Sequence, residues 1–104
     1  MPDAPPKLLR RYKTPRFKLG DVVNCARRGD VRIVGLSDAP IPWPIGQTLP
    51  RGRKRALVLY EALAEAVRRE SVKAVAYHWG VMAQTVTAWC KALGVGEYTR
   101  AHRR

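Results

Sequence analysis

Two spacings of apolar residues divide this chain. Between Val22 and Leu36 the β-branched residues Val22, Val23, Val31, Ile33 and Val34 cluster on either side of Arg28-Gly29-Asp30. Short β-branched runs around a glycine turn predict a hairpin, Asp21–Ala26 against Asp30–Leu36, with Phe17–Leu19 as a short lead-in strand. From Lys54 onward the apolar spacing becomes three and four. Leu57, Tyr60, Leu63, Ala64 and Val67 share one face of a helix over Lys54–Glu70, and Glu61, Glu65, Arg68 and Arg69 lie opposite. Glu65 stands four positions before Arg69, the favourable order for a helix ion pair.

Ser71 is a natural N-cap for the next helix, Val72–Trp79, with Val75, Ala76 and Trp79 facing inward. Gly80-Val81 supplies a tight turn, since glycine accepts the positive φ that such a turn needs. A third helix follows over Met82–Leu93, with Met82, Val86, Trp89, Cys90 and Leu93 on one face and Gly94 at the C-terminal cap position. The stretch Ser37–Pro50 holds Pro40, Pro42, Pro44 and Pro50, which predicts an extended, polyproline-like connector. Within it, Trp43 reads first as a staple that holds the connector, with Ile41 and Ile45, over the hairpin. The other reading makes it an exposed aromatic for a partner or a nucleobase.

The segment up to Thr14 combines three prolines with a basic cluster and reads as a mobile arm; Gly96–Arg104 reads as a basic tail. The organisation expected is therefore an arm over 1–14, a hairpin module with its connector over 15–50, three helices over 51–95 and a tail over 96–104. The fold class is α+β, an N-terminal β-hairpin module followed by a three-helix helix-turn-helix domain.

Charge then narrows the function. The 104 residues carry a formal charge of +12, with nine basic residues against four acidic in the first fifty and eleven against four in the rest. A domain so basic along its whole length is suited to polyanions, bound through phosphate contacts and counterion release. Cys25 and Cys90 lie far apart and make no zinc spacing with His78 or His102, so neither a metal nor another cofactor is expected. No carboxylate cluster or nucleophile–base pair is visible, which argues against an enzyme, and His78 lacks a carboxylate neighbour in sequence. Without a signal-peptide core or a membrane-length apolar run, the expectation is a cytoplasmic, nucleoid-associated protein and no membrane.

Val75-Ala76, Trp79-Gly80-Val81, Thr85-Val86 and Trp89 resemble the signature of the helix-turn-helix superfamily, of the homeodomain-like or recombinase-like three-helix type. That resemblance implies a DNA-binding domain whose residues 83–91 enter the major groove of double-stranded DNA. Met82 and Ala83 depart from it, standing where a Ser or Thr cap is usual. On the exposed side of the third helix, Gln84 suits adenine, Ala88 or the methyls of Thr85 and Thr87 suit thymine, and Lys91 suits guanine or phosphate. Lys73 adds a phosphate contact from the second helix. Pro50-Arg51-Gly52-Arg53 resembles the core of AT-hook peptides, so Arg51, Arg53, Lys54 and Arg55 form a candidate minor-groove arm. The roles in view are a small transcriptional regulator or the targeting module of a mobile-element or nuclease system. An alternative is an adaptor that binds a protein or RNA through residues 15–50 and the Trp43 loop. The oligomeric state is not encoded in any visible pattern.

Overall fold

Gly29, at φ 81°, closes the first hairpin: strand β1 (Val22–Cys25) turns through residues 26–28 into β2 (Gly29–Leu36). A computed structural model describes residues 5–49 and 54–95 of the chain. Two further strands, β3 (Pro44–Thr48) and β4 (Arg55–Leu57), extend the hairpin into an antiparallel sheet of order β1-β2-β3-β4. Three helices follow, α1 (Glu61–Arg69), α2 (Val72–Trp79) and α3 (Ala83–Ala92). The α+β class and the order of sheet before helices are those expected from the sequence.

The adjacent apolar pair Ile33-Val34 has a specific explanation. Ile33 pairs with Gly46 while Gly35 pairs with Ile45, so Val34 is an extra residue in a β-bulge. The bulge resets the alternation and bends the strand. Gly46 is required at the same place, because a Cβ there would lie 2.7 Å from Val31 Cγ2 and 2.9 Å from Val58 Cγ2.

Four expectations are corrected. Residues 54–60 are not helical: Arg55, Ala56 and Leu57 pair with Gln47, Gly46 and Ile45. Leu57, Val58 and Leu59 are all buried, a continuous apolar run that a helix could not bury on one face. The helix starts only at Glu61, a non-glycine residue at φ 53° that reverses the chain at a cost on the order of 1 kcal/mol. Second, the proline-rich connector contributes β3; Pro44 opens the strand, where its missing N–H matters least. Third, Phe17–Leu19 forms no strand.

Fourth, the described part of the N-terminal arm is tied down. Leu9 and Arg10 donate their amides to the Glu70 carboxylate at 2.8 and 3.1 Å, and the Tyr12 hydroxyl donates to it at 2.8 Å. The Thr14 hydroxyl donates to Pro42 O at 2.7 Å, and His78 Nε2 lies 2.6 Å from Pro6 O. The Tyr12 ring meets Trp79 edge-on, at 5.6 Å between centroids.

The sheet and the helices share one buried cluster that includes Val31, Ile33, Trp43, Leu59, Leu63, Val75, Trp79 and Val86. At its centre, Trp43 and Trp79 contact edge to face with centroids 5.8 Å apart. The sheet also curls. The Ala26 amide donates to Leu59 O at 2.8 Å, and the Leu59 amide donates to Cys25 Sγ at 3.3 Å. The end of β1 thus meets the segment that follows β4, although the two strands are opposite edges of the sheet.

Candidate nucleic-acid interface

Helix α2 starts and stops where the sequence places it. Ser71 accepts the Ala74 amide at 3.1 Å, and Gly80 ends the helix at φ 69°. Val81 N returns to Ala76 O at 3.0 Å and Gly80 N to Tyr77 O at 3.3 Å, the paired bonds of a Schellman-type stop. Residues 80–82 then carry the chain into α3. This turn also rests on the sheet's connector: a Cβ on Gly80 would lie 2.8 Å from Ala39 Cβ, and Ile41 N donates to His78 O at 2.8 Å.

The start of α3 is now fixed at Ala83. Met82 gives no side-chain cap; its carbonyl accepts the amides of Thr85 at 2.9 Å and Val86 at 3.3 Å. At the other end Gly94 adopts φ 66° while Val95 N donates to Cys90 O at 3.0 Å and Gly94 N to Lys91 O at 3.1 Å. The C-terminal end is therefore closed by backbone geometry, whereas the N-terminal end has no side-chain cap. Val86, Trp89 and Cys90 face the core, and burial raises the Cys90 thiol above its ordinary pKa.

The outer side of α3 holds the predicted contact residues. Gln84 and Lys91 are exposed, and Ala88 between them is half-buried; spacings of four and three put the three on one helix face. Thr85 and Thr87 flank that face, half-buried, and the Thr87 hydroxyl donates to Ala83 O at 3.1 Å, which turns it back to its own helix. Lys73 is exposed on α2. Arg51 and Arg53 lie outside the described residues. Lys54 is exposed just before β4, whereas Arg55 is a strand residue paired with Gln47, so at least that member of the expected arm is fixed in the sheet.

Trp43 is a correction to the exposed-aromatic reading. It is 0% exposed, donates its indole N–H to Val58 O at 2.8 Å and packs against Tyr60 and Trp79. No partner or base reaches its ring in this fold.

The structure adds a feature that the sequence left unmarked. A cleft of about 350 Å³ opens between the curled sheet and α3. Cys25, Ile45, Leu57, Val81 and Trp89 supply apolar lining, and Arg27, Arg28 and Arg55 supply charge. Thr85 lines it too, so the cleft adjoins the outer side of α3. The sequence signal available for it was the Arg27-Arg28 pair at a hairpin tip, which predicts exposed charge but not what that charge faces.

Among the described residues, no group of His, Cys, Asp and Glu could hold a metal, and no helix is long and apolar enough to cross a membrane. The chain matches no protein-family model, no curated protein and no solved structure.

Proposed function

We propose that the protein binds double-stranded DNA in a sequence-dependent way, with α3 as the reading helix in the major groove. The observation that carries this reading is the outward line of exposed Gln84, half-buried Ala88 and exposed Lys91 on a helix that a tight glycine turn holds against α2. Ten residues of helix span about 15 Å, and the major groove of B-form DNA is about 12 Å wide. Gln84 has the donor and acceptor pair for an adenine edge. Ala88 is small enough to meet a thymine methyl, and Lys91 is long enough to reach guanine or a phosphate. The formal charge of +12 supplies the sequence-independent share of affinity. Lys73 and Lys54 act as phosphate contacts, and Arg51 with Arg53 as a minor-groove arm on A·T-rich flanks. A transcriptional regulator or the targeting module of a mobile element would both use such a domain.

Selection of bound sequences from a random duplex library, at two salt concentrations, tests the reading. An enriched motif is the expected result. Gln84→Ala and Lys91→Ala should each weaken binding to that motif by about 1–3 kcal/mol and weaken binding to random duplex less. Equal loss on both kinds of DNA would remove the base-reading role of α3.

A further inference from the structure

We infer that the cleft between the sheet and α3 is a binding site for a single unstacked nucleotide of the nucleic acid that lies along α3. The apolar interior takes the base, and Arg27, Arg28 and Arg55 take the adjoining phosphate. This inference rests on the nucleic-acid reading of α3 and extends it from a groove-reading helix to a two-part interface.

Three observations carry it. The first is the character of the cleft. At about 350 Å³ its interior is lined by Ile45, Leu57, Val81 and Trp89, a surface suited to the faces of a heterocycle and not to a chain of polar groups. The second is its charge. Among the described residues, none of the three arginines has an acidic partner within ion-pair distance; the Glu65–Arg69 pair on α1 is the bridge that forms. Three guanidinium groups at one apolar mouth favour an anion, and the two non-bridging oxygens of a phosphodiester can take a two-pronged contact from one of them with the others adding charge. The third is continuity. Thr85 belongs both to the cleft wall and to the outer side of α3, so a strand following Gln84 and Lys91 passes the cleft mouth.

The curl of the sheet is what assembles the site. Arg27 and Arg28 sit at the tip of the β1–β2 hairpin and Arg55 sits on β4, the opposite edge. The Ala26–Leu59 and Leu59–Cys25 bonds bring those edges together beneath α3. Base capture in an apolar slot tolerates any base, because each has a flat face, and it favours nucleotides that are already unpaired.

The test measures affinity by fluorescence anisotropy for three labelled DNAs of one sequence: a fully paired duplex, the duplex with one unpaired nucleotide, and that duplex with an abasic residue at the unpaired position. The intact unpaired nucleotide should raise affinity roughly tenfold over the abasic form, which keeps the phosphate but lacks the base. Ile45→Trp, at a half-buried residue of the cleft lining, fills the slot without altering charge, and should erase that difference and leave the paired duplex unchanged. Arg27→Ala with Arg28→Ala, on exposed and half-exposed positions, should lower affinity for the intact and abasic forms alike, since both keep the phosphate, and by more than for the paired duplex. Equal loss on all three DNAs overturns the cleft assignment even if Ile45→Trp fails to fold. Equal affinity for the intact and abasic forms, with the paired duplex still bound, overturns the cleft assignment alone. Failure to bind any of the three DNAs overturns the α3 reading as well. In that case, saturable binding of a glutamate-rich peptide with one aromatic residue, lost in the arginine variant, assigns the cleft to an acidic protein partner instead.

Discussion

The Tyr12 hydroxyl donates to Glu70 Oε2 at 2.8 Å, joining the N-terminal segment to the residue that caps α1. Glu70 Oε1 accepts the Leu9 amide and Oε2 also accepts that of Arg10, so one carboxylate holds a strap across the helices. With Tyr12 against Trp79, the strap closes over the same aromatic cluster that joins sheet and helices.

Replacing that carboxylate should release the strap. Glu70→Ala is expected to cost about 1–3 kcal/mol in denaturant unfolding, since it removes an acceptor shared by three donors, one of them half-buried. Hydrogen exchange at the amides of Leu9 and Arg10 should rise, and Glu70→Gln should fall between. Unchanged exchange at those amides in Glu70→Ala would show that the strap is held by Leu8 and Tyr12 packing alone.

The same pair sets an alkaline limit. Burial, and then the hydrogen bond and negative charge of Glu70, push the Tyr12 phenol up to about 12. An unfolded tyrosine ionises near 10, at about the reference value. A raised acid is favoured in its neutral form, so its contribution to stability is complete below pH 10 and is lost as the pH rises towards 12. Tyr12→Phe should flatten the fall of stability across that window. It should also remove one late-ionising phenol from the ultraviolet titration.

Gly80 should resist substitution for two separable reasons. A side chain at φ 69° is strained by about 1–2 kcal/mol, and its Cβ would press on Ala39 at 2.8 Å. Gly80→Ala should therefore destabilise by more than the backbone strain alone. Adding Ala39→Gly should recover the steric part and leave the strain, which a double-mutant cycle in denaturant unfolding measures directly.

Trp43 gives a test of its core role. Trp43→Phe keeps most of the apolar volume but removes the indole bond to Val58 O, which retains the Tyr60 amide at 3.1 Å, at an expected cost of about 1 kcal/mol for the bond. Trp43→Ala should cost about 3–5 kcal/mol. Loss of binding to a partner without loss of stability would contradict the burial of this ring.

Much of the helical half was legible because its determinants are local. Ser71, Gly80 and Gly94 act on the backbone within a turn of themselves, and all three do in the structure what their residue types demand. The hairpin was legible for the same reason: β-branched runs flank Gly29. The outer face of α3 followed from helical spacing once its register was known.

The sequence alone, then, determined the α+β order, the β1–β2 hairpin, the α2–turn–α3 unit and the identity of its outward residues, because turns, caps and periodicity act over a few positions. Only the tertiary structure decided that Arg55–Leu57 is a strand and not the first turn of a helix. The pairing partner Ile45–Gln47 and the bonds from Ala26 to Leu59 come from distant parts of the chain, and they outweigh a helical spacing that was itself ambiguous. The N-terminal strap needed Glu70, more than fifty positions away. The cleft needed the curl of the sheet, since no local pattern places arginines from two opposite strand edges at one mouth beside α3.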